Sequence, residues 1–170
     1  IGILLVILGA FMLLPYAAQM IYSENSHSFL SSAFITMFIG ILFILTNLDH
    51  EFYLNLQQTF LFSVLAWVSV AIFGSIPFIF STLNLSISDA FFESMSGITT
   101  TGSTVISDLD NSPKSILLWR AIMQWLGGIG IIVMAITVLP LLKVGGMQLF
   151  KMEGSDNTEK ILPRTAEIAS

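Results

Sequence analysis

Residues 96–105, SGITTTGSTV, interrupt a chain that otherwise consists of long apolar runs. In this stretch four threonines and two serines surround Gly97 and Gly102. The 170-residue sequence is 55% hydrophobic and 10% charged, with a mean hydropathy of +0.87, whereas a soluble domain carries about 25% charged residues. The composition therefore predicts an integral membrane protein, in which a polar, glycine-containing segment needs a specific explanation.

Four apolar stretches are long enough to cross a bilayer, for which a helix needs about 20 residues. The expected spans are residues 1–22, 29–48, 59–83 and 113–142. The first two are joined by the polar turn SENSHS and predict a transmembrane helix pair at residues 1–48. The expected fold class is therefore all-α integral membrane.

The polar stretch belongs to residues 85–112, between the third and fourth spans. Its helical part, residues 88–97, is too short to cross the hydrocarbon core. Ser86 and Asp89 have the spacing of a capping box, which predicts the start of this helix, and Gly97 predicts its end. A short helix and a polar loop that return to the same side form a re-entrant segment, which is tolerated at membrane depth only where protein or water surrounds it.

The loop after this helix, residues 99–103, has the chemistry of a selectivity filter. A dehydrated monovalent cation needs oxygen ligands, and backbone carbonyls supply them without a buried fixed charge. Gly102 permits backbone angles that other residues disfavour, and the carboxyl end of the preceding helix carries partial negative charge that favours a cation. Short Thr/Gly stretches also form ordinary turns and packing patches between membrane helices, so this alternative stays open.

Two ionisable residues flank the loop in sequence. Glu93 lies mid-way along the predicted pore helix, where we expect it to bind loop amides or hydroxyls; direct contact with the ion is the alternative. Arg120 lies in the fourth span near two tryptophans, and we expect it either to snorkel to the interface or to pair with an acid such as Glu93. Gly127 and Gly128 in the same span permit close helix packing or a bend tied to pore opening.

Several other functions are disfavoured by composition. A formal charge of -5 offers no basic surface for nucleic acid, and the chain has no cysteine and only two separated histidines, His27 and His50, so no zinc cluster is expected. The sequence contains neither a Ser/His/Asp set nor a phosphate-binding loop, so we do not expect an enzyme. We also expect no covalently bound cofactor. Four of the six basic residues follow the fourth span, which predicts a cytoplasmic tail and places the loop at the outer face.

Four stretches carry a resemblance to a known family: FFESMSGITTTGST (residues 91–104), WRAIMQWLGGIGIIVMAITVLPLL (119–142), VGGMQLF (144–150) and LPRTAEIA (162–169). They resemble the membrane subunit of Trk-type potassium transporters, in the Trk/Ktr/HKT superfamily.

The resemblance implies a potassium-channel-like pseudo-tetramer folded into one chain. Residues 58–142 would be its first helix–pore loop–helix (M1-P-M2) repeat, and residues 143–170 the cytoplasmic linker and the start of the second repeat. It also implies which residues form the potassium filter with their backbone carbonyls: Thr99, Thr100, Thr101, Gly102 and Ser103. Gly102 matches the filter glycine of the family.

The implied function is potassium transport across the cytoplasmic (inner) membrane of a bacterium or archaeon, with potassium as the transported ligand. The implied partners are a second copy of the protein in a homodimer, a TrkA-like cytosolic nucleotide-binding regulatory subunit and the lipid bilayer. The alternative is a membrane-anchored enzyme or sensor module without an ion pathway. Downstream sequence separates the two, because the pore requires three more helix–pore loop–helix units.

Overall fold

The computed structural model of the chain describes residues 1–24, 27–46 and 56–138. The helices in these ranges are α1 (Gly2–Ile21), α2 (Ser28–Leu45), α3 (Leu56–Ile79), α4 (Ile87–Ile98) and α5 (Lys114–Val138). The chain divides into a unit of residues 1–131 and a unit of residues 132–170, and only the end of α5 is described in the second. The helix packing and the candidate site lie in the first unit.

Four of the helices are long and apolar enough to cross a membrane. These candidate spans are Gly2–Ile21, Ser28–Leu45, Gln57–Ile79 and Lys114–Ile136. The expected all-α membrane fold with four spans is therefore confirmed. Residues 47–48 and 139–142 of the predicted spans, and the predicted linker 143–170, lie outside the described residues.

The third span ends earlier than the sequence predicts, at Ile79 instead of residue 83. The hydroxyl of Ser81 donates to the Phe78 carbonyl at 2.6 Å and accepts the Leu83 N–H at 3.3 Å. These side-chain bonds satisfy backbone groups at the end of the helix, and Asn84 then takes a left-handed conformation with φ of 51°. A hydropathy pattern does not register this polar turn, because the residues around it are apolar.

Helices α1 and α2 form a closely packed hairpin. A Cβ atom built on Gly2 would lie 2.8 Å from the Gly40 carbonyl oxygen, and one built on Gly9 would lie 2.5 Å from Met37 Cγ. Glycine at these positions therefore lets the two backbones approach each other, as small residues commonly do between membrane helices. Leu5 and other apolar side chains are fully buried along the same seam.

Helix α4 is 12 residues long, or about 18 Å, and cannot cross a hydrocarbon core of about 30 Å. Its N-cap is Ser86, whose hydroxyl accepts the Asp89 N–H at 3.2 Å and donates to the Asp89 carboxylate at 2.7 Å. The capping that the spacing predicts is therefore present. The helix packs against α3, and its last turns pack against α5.

The segment that contains α4 begins and ends at the same end of the helix bundle. Ser81 and Thr82, which precede α4, and Pro113, which precedes α5, all line one cavity of about 70 Å³. Glu24, from the turn after α1, lines the same cavity. The connection between α1 and α2 thus meets the end of α3 and the start of α5 at this end of the bundle.

Candidate functional site

The candidate site begins where α4 ends. The carbonyl oxygen of Ser96 accepts two amides, from Thr101 at 3.0 Å and from Gly102 at 3.2 Å, so the chain turns sharply after the helix. Thr100 has a φ of 60°, a left-handed conformation that is uncommon for a β-branched residue. The backbone of this turn is consequently fixed by the last turn of α4.

The predicted helix end at Gly97 lies one residue before the observed end, and Gly97 is not the left-handed residue that stops the helix. Helix α4 continues to Ile98, and Gly97 is buried within it. A Cβ atom on Gly97 would lie 3.0 Å from Met123 Cβ on α5, so this glycine permits close packing of the two helices. The left-handed residues that follow the helix are Thr100 and Gly102.

Gly102 has a φ of 77°, a conformation that glycine adopts readily and other residues do not. A Cβ atom at this position would lie 3.5 Å from the side-chain amide nitrogen of Gln124, which is an ordinary contact. The requirement for glycine is therefore one of backbone conformation and not of space, as the sequence predicts.

The five carbonyls of residues 99–103 fall into two groups. The Gly102 carbonyl accepts a hydrogen bond from Arg120 Nη2 at 3.3 Å, and the Ser103 carbonyl accepts one from the Ser96 hydroxyl at 2.6 Å. The carbonyls of residues 99–101 accept no hydrogen bond from the described part of the chain. The structure thus anchors two of the five predicted ligand carbonyls and leaves three available for another partner.

Glu93 connects α4 to the segment that follows Gly102. Its side chain is 1% exposed, and its Oε1 atom accepts hydrogen bonds from the Thr104 hydroxyl and the Val105 amide, both at 2.6 Å. These are the loop hydroxyl and amide contacts that the sequence predicts for Glu93. Its Oε2 atom forms an ion pair with Arg120. Because both carboxylate oxygens are engaged, the contacts favour the supporting position over direct ion contact.

Arg120 is buried and forms the pair expected from the sequence. Its Nη1 atom pairs with Glu93, while its Nη2 atom donates to the Gly102 carbonyl. With only 7% of its surface exposed, the residue does not snorkel to the interface. One guanidinium therefore joins α5, α4 and the loop.

Gly127 and Gly128 have different surroundings, although they are adjacent in α5. A Cβ atom on Gly127 would overlap the carbonyl oxygen of Ile98, the last residue of α4. A Cβ atom on Gly128 would meet nothing within 4 Å. Gly127 therefore allows the backbone of α5 to touch the end of α4 immediately before the candidate filter.

Two contributors, Ser96 and Glu24, were not predicted from the sequence. The Ser96 hydroxyl donates to the Ser103 carbonyl, and the clustering of hydroxyl residues there was the available signal. Thr100 was predicted as a filter residue, but its left-handed conformation was not. Glu24 contacts Ser115 at the start of α5, 91 residues away. No local pattern in the sequence indicates that contact.

The chain matches the family described as TrkH, cation transport protein, over residues 10–170. It is 42% identical over 173 aligned residues to the Trk system potassium uptake protein TrkH of Salmonella typhimurium strain LT2, covering 99% of this chain and 36% of the relative. It is 41% identical to the Trk system potassium uptake protein TrkI of Halomonas elongata, covering 99% of this chain and 35% of the relative.

A solved structure gives the same result. The crystal structure of the potassium transporter TrkH from Vibrio parahaemolyticus is similar with a TM-score of 0.80 and 41% identity, over 85% of this chain and 31% of that chain. The chain thus spans about a third of the length of these relatives. Together with the four apolar helices, these matches identify a multi-pass protein of the cytoplasmic membrane. The chain belongs to the TrkH cation transport protein family.

Proposed function

We propose that this chain contributes the first helix–pore loop–helix (M1-P-M2) repeat of a protein that transports potassium ions across the cytoplasmic membrane. In this proposal α3, α4 with the following loop, and α5 form the repeat of residues 58–142. The hairpin of α1 and α2 forms the amino-terminal helix pair of residues 1–48, and residues 143–170 form the cytoplasmic linker and the start of a second repeat. The loop lies at the outer face.

The observation that carries the proposal is the backbone of residues 99–103 at the carboxyl end of α4. Three carbonyls there have no hydrogen-bond donor among the described residues, and the negative end of the α4 dipole lies beside them. Carbonyl oxygens in this setting suit a dehydrated monovalent cation. Glu93 and Arg120 hold the far side of the loop, and Gly127 sets the distance between α5 and the end of α4.

A single loop supplies oxygens to only one side of an ion. The relatives are about three times as long as this chain, which leaves room for further repeats that would complete the coordination shell. The relatives are named as parts of a Trk system, which supports partner components. The partners we propose are a second copy of the full protein and a TrkA-like nucleotide-binding subunit. The names of the relatives do not favour the alternative of a membrane-anchored enzyme or sensor.

The test is Gly102→Ser in the full-length protein. A residue with a Cβ atom disfavours φ near 77°, so the carbonyls on either side of Gly102 should turn away from their native directions. We expect a strong loss of potassium over sodium preference, measured by how well each ion competes with rubidium uptake in potassium-starved cells. The abundance of the protein in the membrane should be unchanged.

The matched control is Asn84→Ser, which places serine at another left-handed position, with φ of 51°, in the exposed turn before α4. Because Asn84 already has a Cβ atom, the added strain is smaller than at Gly102 and lies away from the loop, and we expect the ion preference of the unaltered protein. Wild-type uptake and preference in Gly102→Ser would refute the assignment of residues 99–103 as a filter.

A further inference from the structure

The turn after α1 reaches the start of α5 through one carboxylate. Glu24 Oε1 accepts the backbone N–H of Ser115 at 3.3 Å, and Glu24 Oε2 accepts the Ser115 hydroxyl. Ser115 is fully buried. Both oxygens of Glu24 are therefore committed to a single residue in the first turn of another helix.

This contact caps the amino terminus of α5. The first amides of a helix have no partner within the helix, and a carboxylate there also compensates the positive end of the helix dipole. Pro113 has no N–H, and the hydroxyl of Ser112 donates to the Asp108 carbonyl instead of accepting from the helix. The acceptor for the Ser115 amide comes from the α1–α2 connection.

The capped turn of α5 leads directly to the residue that holds the loop. Arg120 follows Ser115 by five residues, which is about 7.5 Å along the helix and about 140° around it. Between them, Trp119 packs edge-to-face on Phe29 of α2, with ring centroids 6.0 Å apart, and donates to the Gly74 carbonyl at 3.0 Å. The hairpin thus contacts one side of α5, and Arg120 on another side of the helix donates to the Gly102 carbonyl.

We propose that Glu24 is a positioning residue for the candidate filter. It sets the height and rotation of the first turns of α5, and through them the position of Arg120 against Glu93 and the Gly102 carbonyl. It acts without touching the ion. This inference rests on the proposed function, because it assigns the hairpin a role in the ion preference of the loop.

The cavity beside Glu24 leaves space for water to replace its carboxylate, so we expect the protein to fold without it. The cavity has a volume of about 70 Å³ and is lined by polar residues that include Gln19, whose Oε1 atom has no hydrogen-bond partner among the described residues. A space of this size with hydroxyl and amide groups at its edge is large enough for a water molecule. Water can replace the carboxylate as acceptor for Ser115, but it fixes no position for α5.

The experiment uses the full-length protein in liposomes and compares Glu24→Ala and Glu24→Gln with the wild type. The readout is the potassium over sodium flux ratio, with total potassium flux measured in parallel. Glu24→Ala removes both hydrogen bonds to Ser115, and we expect it to lower the ratio by about two- to ten-fold, the effect of one net hydrogen bond, because only part of the loss reaches Arg120 and the loop. Glu24→Gln keeps one acceptor oxygen for the Ser115 amide, so its flux ratio should lie between those of the wild type and Glu24→Ala.

Two further variants separate positioning from other causes. Asp108→Asn removes an equal charge from an exposed carboxylate whose contact is with Asn111, and we expect its ratio to match the wild type. If Asp108→Asn and Glu24→Ala lower total flux equally at unchanged ratio, Glu24 acts by attracting cations and the inference is overturned. Ser115→Ala should lower the ratio less than Glu24→Ala, and the double variant should be no worse than Glu24→Ala; additive losses would show that Glu24 does not act through Ser115.

The outcomes also separate this inference from the proposed function. A selective wild type with an unchanged ratio in Glu24→Ala would overturn the positioning role alone. A wild type without potassium preference would overturn the proposed function, and the positioning role with it.

Discussion

The hairpin of α1 and α2 is held by backbones in close contact, whereas residues 99–105 are held by side chains from other elements. In the hairpin, glycines such as Gly9 bring the helices together, and the polar contact at mid-helix is a long one, from Thr36 Oγ1 to Met12 Sδ at 3.9 Å. In the loop, Glu93 and Arg120 are buried and bond directly to the backbone.

The difference follows from how each region satisfies its backbone groups. A membrane helix bonds its own amides and carbonyls, so the hairpin needs only a packing surface. An irregular segment has no such ladder, and unpaired backbone groups away from water are costly. Among the described residues, the buried charged side chains Glu93 and Arg120 therefore bond to the segment where regular helix stops. The loss of stability on substitution should therefore be largest for residues that support the loop. It should be smaller for residues where α5 contacts the end of α4, and smallest for residues between α1 and α2.

The largest effect is expected for Glu93→Gln. This change removes the counter-charge of Arg120 while the guanidinium stays buried, and breaking one partner of a buried pair costs about 3–5 kcal/mol. We expect a loss of stability in this range for the purified full-length protein in detergent, measured by denaturant unfolding, together with loss of rubidium uptake. Asp108→Asn is the matched control, because it removes an exposed carboxylate from the same loop region and should change stability by less than about 0.5 kcal/mol.

The double variant Glu93→Gln/Arg120→Gln sharpens the same comparison. Removing both charges leaves no unpaired ion, so stability should recover part of the loss even though the loop contacts stay weakened. If Glu93→Gln alone costs no more than Asp108→Asn, the charges do not support the loop.

The next effect concerns Gly127→Ala, compared with Gly128→Ala. The methyl group at Gly127 would overlap the Ile98 carbonyl oxygen, so α5 and the end of α4 must separate, and overpacking of this kind costs about 1–3 kcal/mol. The methyl group at Gly128 meets open space, and alanine is the better helix former. We expect Gly127→Ala to lower the free energy of unfolding and the rate of uptake. Gly128→Ala should lower neither. Equal effects of the two would show that the contact with Ile98 does not set the position of α4.

The sequence predicts those features that depend on local chemistry. Hydropathy and length locate the four helices, the Ser86 to Asp89 spacing locates the start of α4, and the left-handed preference of glycine singles out Gly102. The pairing of Glu93 with Arg120 is also predictable, because a buried charge in a membrane segment needs a partner and few candidates exist.

The remaining features depend on contacts between distant parts of the chain. Glu24 lies in a polar turn and Ser115 in the first turn of a helix, and only the packing of the hairpin against α5 brings them together. Gly97 has the composition signal of a helix stop, but the approach of Met123 determines its role. Thr100 is left-handed because the Ser96 carbonyl collects the following amides, which overrides the preference of a β-branched residue.

The smallest effect is expected in the hairpin, for Thr36→Val. Thr36 is fully buried, and the valine methyl group takes the place of a hydroxyl whose acceptor is the weakly basic sulfur of Met12. Hydrogen bonds between membrane helices average about 0.6 kcal/mol, and this long contact should contribute no more. We expect a stability loss of at most about 0.5 kcal/mol and unchanged uptake and ion preference. Met12→Leu removes the acceptor at similar volume and serves as the paired variant, so the double variant should show no extra loss. A loss above about 2 kcal/mol in Thr36→Val would mean that the hairpin also depends on polar contacts, and the contrast with the loop would fail.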